Sequence, residues 1–166
     1  SSGESRLFNL TPTGTVASNV LCDVRYGKPC FSSAGQKIAF CSQGSSLIGG
    51  IGGNKNIFVY NYLQATNQLI TMNYSTLQSG NGDSYCPQFS PDGRWLAFLS
   101  CATNLVTNSH SRAMADLFVC DMSMSNTVEF DRLWATNAVF SPCSLYLFFN
   151  TMPIADENAI YRYKLS

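Results

Sequence analysis

Charged side chains are scarce in this sequence. Ten Lys and Arg balance ten Asp and Glu, and charged residues make up 12% of the 166-residue chain, about half the usual share. A nucleic-acid-binding protein normally carries an excess or a stripe of basic residues, so we expect no nucleic-acid partner. Neutral polar residues replace the missing charge: there are 14 Asn, 21 Ser and 11 Thr. Such a surface favours an extracellular or cell-surface location.

Long hydrophobic runs and helix signals are also missing. No apolar run approaches the roughly eighteen residues that span a bilayer, so the sequence predicts no membrane span. No stretch shows sustained 3.6-residue periodicity or a capping box, which excludes a helical protein. The chain is not a disordered one either, since 45% of its residues are hydrophobic and 13% aromatic. It begins Ser-Ser-Gly without Met or a recognisable signal peptide, which indicates a processed or trimmed fragment.

Residues that carry catalysis or bind metals are few. His110 is the only histidine, and no G-x-S-x-G nucleophile motif occurs. The loop containing Asn104, Asn108 and Asp116 offers too few carboxylates for a calcium site. The glycines of 49–53 lack the G-K-[ST] ending of a phosphate-binding loop. We therefore expect no catalytic residue, no metal site and no cofactor.

The seven cysteines are not spaced as C-x-x-C, so a zinc ribbon or a thioredoxin-like site lacks its main sign. Two pairs flank equivalent predicted hairpins, Cys30 with Cys41 and Cys86 with Cys101. These pairs are candidate disulfides, although neither is directly opposite across its hairpin. The alternative is that most of the cysteines are small, buried hydrophobic residues.

Two N-glycosylation sequons are present. They are Asn9-Leu10-Thr11 and Asn73-Tyr74-Ser75, both without proline at the middle position. Sequons also arise by chance in a chain rich in Asn, Ser and Thr. We expect N-linked glycans on Asn9 and Asn73 if the protein passes through a secretory pathway.

An internal repeat dominates the sequence. The decapeptides starting at residues 31, 89 and 140 read F-S-S-A-G-Q-K-I-A-F, F-S-P-D-G-R-W-L-A-F and F-S-P-C-S-L-Y-L-F-F. Each combines Phe-Ser, a turn and an apolar strand, and a second apolar segment follows each one. A period of about 50 residues containing several short strands is typical of propeller blades.

The repeat predicts an all-β propeller of four-stranded antiparallel blades. Within one unit, Pro87 begins a first strand, a Ser-Pro-Asp-Gly-Arg turn follows, and 95–99 is apolar on both faces, as in a strand between two sheets. Third and fourth strands are expected near 116–122 and 126–132. The fourth is polar and edge-like because of Asp131 and Arg132.

The units divide the chain unevenly. We predict a single partial propeller over 1–166, in which 1–27 contributes two strands (6–10 and 15–21), 28–79 and 80–134 are blades, and 135–166 is a blade that lacks its outer strand. The total is about three and a quarter blades, whereas closed propellers have at least about four. The sequence therefore predicts an incomplete ring.

The segment Phe89–Phe98, together with Gly80–Tyr85 before it and Ser100–Val106 after it, resembles the TolB-like, or WD40-like, propeller repeat. The long loop and the following Asp116–Asp121 strand are similar to a subgroup common in secreted and cell-surface proteins. The resemblance weakens after residue 137, where Cys143 and Ser144 replace the Asp-Gly of the turn. It implies a β-propeller without implying one activity.

Three functions fit this resemblance. The first is a non-enzymatic extracellular module that binds protein, either another copy of itself or a different protein, by strand addition into a ring or filament. The second is the accessory or gating propeller of a larger secreted hydrolase. The third is a carbohydrate-binding propeller that uses exposed aromatics such as Trp134 or Tyr74. The solution mass distinguishes a monomer from an assembly, and a monodisperse monomer would contradict strand exchange between copies.

Overall fold

The computed structural model describes residues 27–44, 46–48, 53–107, 115–130, 135–151 and 159–166. Every regular element in these residues is a β-strand, and they hold no helix that would span a membrane. The strands are β1 (Cys30–Phe31), β2 (Lys37–Ser42), β3 (Asn56–Asn61), β4 (Thr66–Leu69), β5 (Ser84–Phe89), β6 (Trp95–Ser100), β7 (Asp116–Asp121), β8 (Asn126–Phe130), β9 (Ala135–Phe140), β10 (Tyr146–Thr151) and β11 (Ile160–Lys164).

The strands form three antiparallel sheets in simple up-and-down order. The first sheet is β1-β2-β3-β4, the second β5-β6-β7-β8, and the third, with three strands, β9-β10-β11. Adjacent antiparallel strands can be joined by a short turn. Each of the three Phe-Ser repeats contains such a turn and therefore forms one hairpin. The all-β, incomplete propeller predicted from the repeat is confirmed.

Two hydrophobic clusters hold the sheets face to face. One includes Val59 of the first sheet with Phe98 and Phe118 of the second, and the rings of Phe98 and Phe118 stack at a centroid distance of 5.6 Å. The other joins Leu117 of the second sheet to Leu147 of the third. The middle sheet is therefore buried on both faces, which explains why residues 95–99 are apolar without alternation.

The first strand of the second sheet differs from the prediction. It begins at Ser84, so Pro87 lies inside β5 and not at its start. The pairing with β6 shifts register between Tyr85 and Gln88, and Cys86 in this bulge has φ of 55°. Proline is tolerated here because β5 is an edge strand and a bulge leaves its residues out of the ladder. The prediction was wrong because it took proline only as a strand start.

Several residues singled out in the sequence lie outside the described residues. They are the two N-terminal strands predicted at 6–10 and 15–21, Asn9 of the first sequon, His110 and Trp134.

Candidate functional site

The third sheet has an edge that no described strand covers. In the first two sheets a fourth strand, β4 or β8, pairs with the third strand along its outer side. In the third sheet β11 pairs with β10 only. An uncovered strand edge presents free backbone donors and acceptors, to which another extended segment can pair.

Two hydrogen bonds at the ends of β11 define the direction of its backbone groups. The amide of Leu165 donates to the carbonyl of Leu145 at 2.8 Å, and the amide of Thr151 donates to the carbonyl of Ala159 at 3.2 Å. In an antiparallel pair, hydrogen-bonded and non-hydrogen-bonded residue pairs alternate. The odd-numbered residues of β11 therefore bond to β10, and the even-numbered ones direct their amide and carbonyl groups outward.

These outward groups belong to Ile160, Arg162 and Lys164. All three residues are exposed, and together they offer three N–H and three C=O groups to an incoming strand. Two of the three side chains are cationic and none is acidic. The edge would therefore accept a neutral or acidic segment in extended conformation.

An apolar cleft of about 210 Å³ lies between β8 and β11. Its walls include Met124, Val128, Phe130 and Tyr163, and the rings of Phe130 and Tyr163 meet edge to face at 4.7 Å. Met124 is 75% exposed and Val128 47% exposed. Alternate side chains of a strand added to β11 would point toward this cleft, because strand side chains alternate between the two faces of a sheet.

The cleft was not foreseen from the sequence. The interpretation of 126–132 as a polar edge strand rested on Asp131 and Arg132, which lie outside the described residues. The sequence signal for the cleft was the pair Val128 and Phe130, two positions apart. Apolar residues that alternate along an outer strand form one apolar face.

Of the four cysteines proposed as disulfide partners, Cys30, Cys86 and Cys101 are free thiols in the structure. Cys30 lies opposite Ala39 and not opposite Cys41, and the Cys41 thiol donates to the carbonyl of Ser84 at 3.2 Å. The bulge at Cys86 moves this residue out of register with β6. The two disulfides stay predictions.

The described thiols of the interior are poor nucleophiles at neutral pH. Burial raises the pKa of Cys30 to about 11, and burial also raises the pKa of Cys120. Since the thiolate is the reactive form of cysteine, these positions favour packing over catalysis.

The second sequon lies in a turn between the first two sheets. Oδ1 of Asn73 accepts hydrogen bonds from the amide and the hydroxyl of Ser75, both at 2.9 Å. The neighbouring Tyr74 is 53% exposed. The turn therefore places the sequon at the surface, and its occupancy stays a prediction.

In the loop considered for calcium, Asn104 and Asp116 belong to the described residues, and Asn108 lies outside them. Oδ1 of Asn104 accepts a hydrogen bond from the amide of Asn81 at 2.9 Å, and Asp116 is buried. In the part of the chain that the structure describes, no three His, Cys, Asp or Glu side chains are grouped in a way that would hold a metal ion.

The comparisons with known proteins agree on the architecture. No protein-family model matches the sequence, and no curated protein is detectably similar to it. Among solved structures, TolB from Acinetobacter baumannii is 18% identical with a TM-score of 0.54, and the match covers 91% of this chain and 31% of that one. The chain has a TolB-like β-propeller fold.

Two further solved structures are similar to this chain in fold. The propeller domain of the Trilobed protease from Pyrococcus furiosus, described as having an open velcro topology, is 13% identical with a TM-score of 0.57 over 83% of this chain and 38% of that one. A conserved lipoprotein from Clostridium novyi is 11% identical with a TM-score of 0.52 over 84% and 87%. The chain thus spans less than half the length of the TolB and protease chains. These identities establish the fold alone.

Proposed function

We propose that the TolB-like chain is a non-enzymatic, extracellular propeller module that binds protein by strand addition at β11. The observation that carries the proposal is that, among the described strands, β11 pairs with β10 alone, whereas β4 and β8 cover the same position in the other two sheets. The partner is another copy of this chain or a different protein that supplies an extended segment.

The chemistry of the described residues supports a binding role over a catalytic one. The interior thiols of Cys30 and Cys120 are held protonated by burial. The cleft beside β11 is lined mainly by apolar and aromatic side chains, with Arg94 and Asp121 engaged in an ion pair with each other. Such a lining fits side chains of a bound segment, since buried binding surfaces are rich in apolar and aromatic residues.

An extracellular or envelope location is part of the proposal. It is supported by the low charge of the chain and by the surface sequon at Asn73. The similarity in fold to a lipoprotein agrees with it.

The second candidate is the accessory propeller of a larger hydrolase. The similarity to the propeller domain of a protease and to a prolyl endopeptidase, at a TM-score of 0.56 over 84% of this chain, favours it. In that case β11 would receive its fourth strand from a neighbouring part of the same polypeptide. The isolated 166-residue chain would then be a monomer without strand exchange.

Two substitutions of Arg162 test strand addition at the backbone level. Arg162→Pro removes an outward N–H but no bond to β10, and proline is accepted on edge strands. Arg162→Ala removes the same side chain and keeps the N–H. We expect self-association, measured by sedimentation equilibrium, to be at least tenfold weaker for Arg162→Pro than for Arg162→Ala. Equal association of the two variants, both with wild-type circular dichroism, would contradict strand addition at β11.

A further inference from the structure

Each blade begins with an equivalent phenylalanine at the end of its first strand. In each case the residue opposite it on the second strand is a buried Ile or Leu: the pairs are Phe31–Ile38, Phe89–Leu96 and Phe140–Leu147. Directly opposite residues of an antiparallel pair project from the same face. The three phenylalanines therefore face in the same direction relative to their own blades, which is toward the preceding blade.

Two of these phenylalanines are covered and one is not. Phe89 is 7% exposed and belongs to the cluster between the first and second sheets, and Phe140 is 6% exposed and belongs to that between the second and third. Phe31 is 59% exposed. Its ring stacks against Tyr62 at 6.5 Å, and Tyr62 is itself 38% exposed. Phe31 thus lacks the cover that a preceding blade gives to its two equivalents.

The surface that receives each covered phenylalanine is a row of small side chains on the preceding sheet. Ala39 and Val59 lie opposite one another and belong to the cluster of Phe89. Ala97 and Val119 lie opposite one another and belong to the cluster of Phe140. The same contact between neighbouring blades therefore occurs twice in the chain, formed by equivalent residues.

The third sheet presents the equivalent row without a cover. Phe148 lies opposite Val139 on one side and opposite Arg162 on the other, and Ile160 projects from the same face. Val139 is 51% exposed and Ile160 75% exposed. We refer to Val139, Phe148, Ile160 and Arg162 as the open face of the third sheet.

The open face differs from the two covered rows in its chemistry. Phe148 and Arg162 stand where the covered rows have Ala and Val, so the face is bulkier and carries a charge. The guanidinium of Arg162 lies over the ring of Tyr146, 5.1 Å from its centre. A cation held in this way keeps its other side available to a second aromatic ring.

We propose that Phe31 of one copy packs on the open face of a second copy. This inference rests on the proposed function and names its partner as the chain itself. The contact continues the blade–blade interface that the chain builds twice internally, because an exposed phenylalanine and an uncovered receiving row lie at opposite ends of the same series of blades. It is a heterologous, head-to-tail contact, so it forms a ring where the rotation closes and a filament where it does not.

Two charge substitutions and a matched control test the contact. Phe31→Glu removes the inserted ring, and Val139→Glu places a charge on the open face. Both positions are half exposed or more, so the folded chain accommodates either change. Leu77→Glu is the control, since Leu77 is 68% exposed and lines the groove between the first two sheets, away from both surfaces. Sedimentation equilibrium gives the mass of each variant and of the mixture.

We expect wild type and Leu77→Glu to associate alike, and each of the other two variants to associate at least tenfold more weakly. In an equimolar mixture, Phe31 of the Val139→Glu variant can still pack on the intact open face of the Phe31→Glu variant. The mixture therefore forms a species of twice the mass of one chain and nothing larger. Wild-type association that neither substitution weakens overturns this contact and leaves strand addition at β11 standing. A wild-type chain that stays monomeric overturns this contact and strand addition between copies, and leaves strand addition to a different protein standing.

Discussion

Arg94 and Asp121 join the turn before β6 to the end of β7. Nε and Nη2 of Arg94 donate to Oδ2 of Asp121 at 3.2 and 2.9 Å, and Oδ1 accepts the amide of Ser123 at 2.8 Å and its hydroxyl. The Ser123 hydroxyl and then Arg94 hold the pKa of Asp121 well below its ordinary value. The ionised carboxylate therefore links the start of β6 to the end of β7, which lie side by side in the sheet.

This carboxylate makes the stability of the second blade dependent on acid pH. A group whose folded pKa is depressed stabilises the fold above its unfolded pKa of about 3.9 and loses that effect as the pH falls through the folded value. We expect Asp121→Asn to lower the midpoint of thermal unfolding at pH 7, and the gap from wild type to shrink steadily below about pH 4. A gap of the same size at pH 7 and pH 2.5 would count against this role.

Thr71 supports a buried polar junction behind β3. Its Oγ1 accepts the amide of Ile57 at 3.1 Å and donates to Oδ1 of Asn56 at 2.9 Å, and both Thr71 and Asn56 are buried. Thr71→Val leaves both groups unsatisfied and should cost about 2–4 kcal/mol of unfolding free energy in urea. Thr71→Ser keeps the hydroxyl and should cost less than about 1 kcal/mol. Similar losses of unfolding free energy in the two variants would show that the Thr71 hydroxyl does not stabilise the fold.

Gly82 lies against the backbone that leaves β6. A Cβ at this position would be 2.5 Å from the carbonyl carbon of Cys101 and 2.6 Å from the amide nitrogen of Ala102. We expect Gly82→Ala to cost about 1–3 kcal/mol, because backbone cannot yield as a side chain does. Gly80→Ala is the comparison: its Cβ would meet the flexible end of Leu105 at 2.7 Å, and the loss should be smaller. Chemical denaturation of both variants measures the difference.

Cys143 should be the most readily alkylated of the exposed thiols that the structure describes. It is exposed in the turn before β10, and the hydroxyl of Ser141 and then the amide of Leu145 lower its pKa. Cys86 is also exposed, but partial burial of its thiol raises its pKa. At pH 7.5 iodoacetamide should therefore modify Cys143 first, since the thiolate reacts. Ser141→Ala should slow the alkylation of Cys143. Faster labelling of Cys86 than of Cys143 would contradict the prediction.

Peptide mapping of the protein alkylated with iodoacetamide, without reductant, tests the disulfide predicted between Cys86 and Cys101. Cys86 lies in the bulge and is an exposed free thiol, so we expect Cys86 to be alkylated in the native protein. A Cys86 that reacts only after reduction would instead support the pairing with Cys101 predicted from the sequence.

Most of the fold could be predicted because the repeat carries it. The Phe-Ser-turn-strand segments at 31, 89 and 140 correspond to hairpins β1-β2, β5-β6 and β9-β10, since each unit contains its own turn and its own apolar strand. The bulge at Cys86 could not be predicted, because it depends on tertiary packing around Pro87 and shifts the register by one residue.

The candidate site was predicted only in outline. A missing outer strand on the last blade follows from counting strands, and the three-stranded third sheet agrees with it. The exposure of Phe31 did not follow from its repeat, whose equivalents Phe89 and Phe140 are buried. Which equivalent residue is covered depends on the neighbouring blade, and one repeat unit alone does not contain that information.

Asn73 offers a test of the predicted N-linked glycosylation. Material secreted from a eukaryotic host should lose mass on treatment with peptide N-glycosidase F, and Asn73→Gln should remove the part of that shift due to this site. Asn73→Gln replaces the group without a large change in polarity. Secreted protein that shows no shift would argue against glycosylation at this sequon.

The central claim is that the uncovered third blade recruits a second copy of the chain. Sedimentation equilibrium of the wild-type protein over a range of concentrations tests it most directly. We predict species heavier than a single chain, with a distribution that moves to higher mass as concentration rises. A single species with the mass of one chain at every concentration would contradict the account.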